Sequence, residues 1–151
     1  MAKINIVVGS VMGTSLEVAR AAKTVLENCG HEVTAYENFA PENTAVFDPN
    51  SVLLVCCSST GMGDLPQNIT PFYQVLTTQF PRIAGMAYGV ISLGDSSYPN
   101  FAQAGKTIDE ALADIGAARL GEMLILDATQ TQDHAADASK WVSEWASLLP
   151  Q

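Results

Sequence analysis

Residues 52–57 read Val-Leu-Leu-Val-Cys-Cys, six apolar side chains in a row with no polar alternation. A strand built that way has no face to offer to water, so its sheet must be covered on both sides, as parallel sheets are when helices cross back between their strands. The remainder of the chain supplies such units. Apolar runs at 4–8, 31–36, 86–93 and about 120–126 alternate with segments at helical spacing. In the first of these Val18, Ala22, Val25 and Cys29 share one stripe, which Gly30 ends as a C-cap. In the second, Pro71 suits a first turn with Phe72, Val75 and Leu76 inward. The third carries Phe101, Gly105, Ile108, Leu112 and Ile115 up to Gly116, and the last turns Trp141, Val142, Trp145, Leu148 and Leu149 to one side. The βαβαβαβαβα order predicts an α/β fold, a doubly wound five-stranded parallel sheet in three layers. The whole chain, 1–151, makes one domain, long enough to bury about 68–70% of its unfolded surface.

Charge narrows the partners. Seven basic residues against sixteen acidic ones leave −9, the wrong sign for a broad hold on phosphate backbones or anionic lipid, so nucleic acid is not expected as a partner. No run approaches the roughly 20 apolar residues that span a bilayer, and the start of the sequence lacks a signal-peptide pattern. The expectation is a cytoplasmic protein away from membranes. The three thiols fit that: Cys29, Cys56 and Cys57 make no even framework and no C-x-x-C pair, while Cys56 and Cys57, as neighbours in a strand, point to opposite faces. With only His31 and His134, no ligand-spaced cluster for a metal is present.

In a doubly wound sheet a ligand sits beyond the carboxyl ends of the strands. Three loops there are unusual. The first, Gly9-Ser10-Val11-Met12-Gly13-Thr14-Ser15, joins a strand to a helix N-terminus, where free N–H groups, the helix dipole and the hydroxyls of Ser10, Thr14 and Ser15 make a seat for an anion. It has no lysine, and its glycines match neither G-x-x-x-x-G-K-[ST] nor G-x-G-x-x-G, so a single phosphate monoester suits it better than a nucleoside triphosphate or a dinucleotide. The second, Ser58-Ser59-Thr60-Gly61-Met62-Gly63-Asp64-Leu65-Pro66, has two glycines that let the backbone turn tightly against a flat ligand, and a peptide beside Gly61 can rotate at low cost. The third, Gly94-Asp95-Ser96-Ser97-Tyr98-Pro99-Asn100-Phe101, holds an aromatic ring whose backbone is restricted by the following proline, ready to lie on a planar heterocycle.

Taken together the three loops resemble those of the flavodoxins, over essentially the whole chain. The phrase S-S-T-G-x-G-D-L-P is similar to that of the small MioC-like, short-chain flavodoxins, and L-G-D-S-S-Y-x-x-F followed by Gly105 and Lys106 resembles the FMN domain of diflavin reductases. The resemblance implies the flavodoxin-like strand order 2-1-3-4-5, noncovalently bound FMN and a low-potential electron carrier rather than an enzyme. It places the phosphate on Ser10, Val11, Met12, Gly13, Thr14 and Ser15. Ser58, Ser59, Thr60, Gly61, Met62, Gly63 and Asp64 would lie beside the flavin N5, with the Gly61 carbonyl turning toward N5–H after one-electron reduction. Leu93, Gly94, Asp95, Asn100 and Phe101 would frame Tyr98 on one ring face, and Asp127 would stand near the flavin edge. Thr60 departs from the pattern, since many relatives carry Trp or Tyr there, and stacking on that face would be weaker. The implied partners are a donor of the flavodoxin/ferredoxin-NADP reductase type and acceptor enzymes, docking transiently on an acidic rim of Asp64, Asp95, Glu122, Asp127, Asp133 and Asp137, with the carrier a monomer.

Three other functions meet objections in the residues. An FMN-dependent quinone or NAD(P)H oxidoreductase of the same fold needs a second binding surface over the ring, and no basic or aromatic loop offers one. A serine hydrolase built on Gly94-Asp95-Ser96 and His134 lacks the G-x-S-x-G elbow. A phospho-receiver would want acids after the first strand, an Asp ending the third and a Lys ending the fifth, where Ser10, Ser58 and Asp127 stand.

Overall fold

The computed structural model describes residues 2–10, 13–59, 64–97, 102–130 and 133–149. Its elements run β1 (Lys3–Gly9), α1 (Thr14–Asn28), β2 (Glu32–Tyr36), a 3₁₀ turn (Thr44–Phe47), β3 (Val52–Ser58), α2 (Thr70–Thr78), β4 (Ala87–Gly94), α3 (Gln103–Asp114), β5 (Ala118–Arg119), β6 (Leu124–Asp127) and α4 (His134–Ala146). All pairings are parallel, in the order β2-β1-β3-β4, with β5 and then β6 filling the position beyond β4. This is the 2-1-3-4-5 sheet.

The unbroken apolar run of β3 divides by alternation. Leu54 and Cys56 join Ile4, Ile6, Val8 and Ile91 in a core against α1 and α4, while Leu53, Val55 and Cys57 join Val7 and Val90 in a second core against α2 and α3. Cys56 and Cys57 therefore face opposite layers as small buried residues. Burial pushes the Cys57 thiol up to about 12 and Cys56 higher still. Phe39, Phe47 and Phe72 pack ring on ring, with centroids 5.3–5.9 Å apart, and pin the long β2–β3 connection onto α2.

Both predicted glycine stops are Schellman motifs. Gly30 and Gly116 have φ of +90° and +93°. His31 N–H reaches back to Leu26 O and Ala117 N–H to Leu112 O, each at 3.1 Å. Three expectations shift. The buried stripe of α1 is Val18, Ala19, Ala22 and Leu26; Val25 is only partly covered and Cys29 is exposed, because the helix ends at Asn28 and Cys29 caps it. The fifth strand is broken: between partners Tyr88↔Arg119 and Ile91↔Leu124 it holds two more residues than β4, and the excess bulges at Gly121, φ +69°. Leu148 lies past the end of α4 and is 52% exposed, although Val142, Trp145 and Leu149 are buried as the periodicity predicts.

Candidate functional site

The chain leaves β1 through α1, on one face of the sheet, and leaves β3 toward α2, on the other. The carboxyl ends of these two neighbouring strands are thus the switch point of the sheet, where ligands of doubly wound folds sit. Gly9 ends β1 there. A Cβ on it would lie 2.8 Å from Ile69 Cγ2, so the strand end and the approach to α2 touch closely. The Gly9 carbonyl accepts from Ser15 Oγ at 2.5 Å and from Ser58 Oγ at 3.3 Å.

Gly13 leads into α1 with φ +88°, a conformation that favours glycine, and no side chain caps the helix. Ser10 Oγ accepts the Gly13 N–H at 2.7 Å, and the first intrahelical bond is Glu17 N–H to Gly13 O at 3.1 Å. The N–H groups of Thr14, Ser15 and Leu16 thus have no acceptor among the described residues. Three such donors at the positive end of a 15-residue helix suit an anion. One detail differs: Ser15 is fully buried and its hydroxyl proton is committed to Gly9, so only its N–H remains for an anion. Ser10 keeps its hydroxyl proton, and the Thr14 hydroxyl has no partner among the described residues.

The second and third loops meet through serines. Ser59 N–H donates to Leu93 O, and Ser59 Oγ accepts from Ala104 N–H at the start of α3, both at 3.0 Å. Leu93 is 3% exposed and acts as support beneath the site. Gly94 O accepts from Ala128 N–H at 2.8 Å, which ties β4 to the end of β6. Asp95 takes up the Ser97 N–H at 2.8 Å together with the Ser97 hydroxyl.

Asp127, at the tip of β6, gathers donors from the third loop and from the turn that follows β6: Ser96 N–H at 3.1 Å, Thr129 N–H at 2.9 Å and Thr129 Oγ1 at 2.8 Å. Hydrogen bonding from Ser96 foremost, opposed by desolvation and reinforced by Thr129, holds its carboxyl at about 2, below the ordinary 3.8. Of the other acids, Asp64 is exposed ahead of α2, Asp133 caps α4 by accepting from Ala136 N–H at 3.0 Å, and Asp137 lies in that helix's first turn. Glu122 does not belong with them. It precedes β6, whose length of about 10 Å separates it from the carboxyl edge, and lines a groove of about 240 Å³ with Leu120, Trp141, Trp145 and Leu148.

Val11, Met12, Thr60, Gly61, Met62, Gly63, Tyr98, Asn100 and Phe101 lie outside the described residues. Two contributors escaped sequence reasoning. Thr129 completes an Asx turn on Asp127, a pattern legible in Asp-x-Thr. Asn68 bonds Ser10 N–H across 58 residues, for which no local signal exists.

The family model described as Flavodoxin matches residues 6–141. The chain belongs to the flavodoxin family. A flavodoxin YqcA from Pectobacterium carotovorum subsp. carotovorum is 42% identical over 149 residues, covering 99% of this chain and 98% of that protein. Protein MioC of Escherichia coli (strain K12) is 29% identical over 149 residues, with 99% of each covered. Among solved structures, a cysteine-to-alanine mutant of flavodoxin from Pseudomonas aeruginosa superposes with a TM-score of 0.90 at 38% identity, covering 97% of this chain and 98% of that one. Flavodoxins bind FMN and carry electrons. Among the described residues no helix is long and apolar enough to cross a membrane, and no group of His, Cys, Asp and Glu could hold a metal.

Proposed function

We propose that this flavodoxin passes electrons one at a time, on FMN, from a flavoprotein reductase of the flavodoxin/ferredoxin-NADP type to acceptor enzymes, as a monomer in the cytoplasm. The observation that carries the reading is the α1 terminus: three N–H groups, and the hydroxyl protons of Ser10 and Thr14, that have no acceptor among the described residues. The FMN phosphate would rest there, with Val11 and Met12 completing the loop. The bound ring supplies the redox chemistry by accepting and releasing electrons. Tyr98, between Asp95 and Asn100 with Phe101 beyond, would cover one face of it. The loop of Thr60, Gly61, Met62 and Gly63 would lie by its N5 edge, where a Gly61 carbonyl can accept a proton-bearing nitrogen and a turned peptide can offer an N–H instead.

The chain's acids set the electrostatics. A carboxylate about 10 Å from the ring, at an effective dielectric near 20, opposes an added negative charge by about 1.7 kcal/mol, about 70 mV for one electron before salt screens it. Asp127, held ionised by Ser96 and Thr129, is the firmest of these charges, and Asp64, Asp95, Asp133 and Asp137 extend a rim that would steer a basic partner face to the flavin. Raising ionic strength should then slow reduction by the partner reductase severalfold, as followed by stopped-flow absorbance. A rate unchanged between low and moderate salt rules out steering by the rim.

A further inference from the structure

Asn68 lies ahead of α2, far in sequence from the phosphate loop, yet its side chain joins three parts of the site. Its Oδ1 accepts the Ser10 N–H at 3.0 Å, and its Nδ2 donates to the Glu37 carbonyl, just past β2, at 3.0 Å. Glu37 in turn holds Arg20 of α1 through an ion pair of 3.3 Å. Ser10 is the hinge of the seat: its N–H is taken by Asn68 while its Oγ accepts the Gly13 N–H at 2.7 Å. The end of β1, the exit from β2 and the start of α2 therefore meet at one amide. The amide satisfies both ends at once, because Ser10 N–H can only donate and the Glu37 carbonyl can only accept. Asp lacks the donor, and an apolar residue leaves both partners unpaired.

We propose that Asn68 is a positioning residue that gives the site its preference for FMN over riboflavin. By pinning the first peptide of the loop it aims the Ser10 hydroxyl, and through Gly13 the α1 terminus, at one phosphate position. The proposal rests on the phosphate occupying that terminus. A residue acting only through the seat alters binding of the phosphorylated flavin and leaves the ring's own contacts untouched, so riboflavin, which shares the ring and lacks the phosphate, is the internal control.

The test is fluorescence titration of apoprotein with FMN and with riboflavin, for the parent, Asn68→Ala, Asn68→Asp and Gly13→Asp, with thermal melts of each. Loss of one net hydrogen bond predicts that Asn68→Ala weakens FMN about threefold to tenfold while riboflavin affinity changes less than about twofold. Asn68→Asp keeps the acceptor for Ser10 but adds a charge near the dianion, so its loss should be larger and should shrink in high salt. Equal losses for both flavins, or none for either, while Gly13→Asp discriminates against FMN, would overturn the role of Asn68 and leave the seat standing. If Gly13→Asp also fails to discriminate, the phosphate lies elsewhere. Should Asn68→Ala not fold, the FMN-to-riboflavin ratio of Asn68→Asp and its salt dependence decide the matter alone.

Discussion

Gly13 has φ +88° and, among the described residues, nothing within 4 Å of where a Cβ would stand, so backbone conformation opposes a side chain there at about 1–2 kcal/mol. Asn and Asp tolerate that region best, and they differ by one charge placed beside the orphan N–H groups. Gly13→Asp should therefore weaken FMN at least about tenfold relative to Gly13→Asn by equilibrium dialysis, with similar melting temperatures. Equal affinities of the two variants would refute the charge argument. Asp127 makes a second prediction at this scale. Its folded value of about 2 lies below the ordinary 3.8, so the stability it adds is present above pH 3.8 and lost as pH falls through about 2. The stability difference between parent and Asp127→Asn should shrink across that window in acid denaturation; a difference that stays constant contradicts it. These residues were unequally legible. Asp127 and Thr129 are two apart and form a local turn, whereas Ser96 reaches Asp127 across 31 residues and Asn68 reaches Ser10 across 58, and a bond between distant segments leaves no periodic trace.

Elements are held together by where side chains are missing as much as by where they pack. Gly105 sits inside α3, where Ala would gain about 1 kcal/mol of helix propensity. A Cβ there would overlap Ser92 Cβ and Oγ, and Ser92 cannot give way freely because its hydroxyl bonds Ala102 O at 3.0 Å. Overpacking at about 1–3 kcal/mol wins, so Gly105→Ala should lower the denaturant midpoint; a midpoint that rises would show that α3 does not press on β4 there. Periodicity placed Gly105 on the inner face, though the reason is size and not apolarity. Periodicity also carried the last stripe too far: α4 stops at Ala146, so Leu148 turns outward while Leu149 is buried. The break between β5 and β6 had a visible signal, since an isolated Gly121 inside a strand pattern marks a bulge.

For the whole molecule, the alternation of strands and helices was enough to foresee a doubly wound sheet, because parallel strands demand crossovers and crossovers cover both faces. The expectation of a site at the carboxyl edge followed from that topology. Charge was less informative. A net −9 says that acids are plentiful and not where they stand, so Glu122 was grouped with the flavin edge although it lines the groove beside Trp141 and Trp145. The central claim is that this fold holds FMN so as to carry single electrons. Anaerobic reductive titration of the holoprotein, followed by visible absorbance and electron paramagnetic resonance, tests it most directly. Two resolved one-electron steps with an unpaired-electron signal between them are predicted. A single two-electron bleaching with no radical at any stage would contradict it.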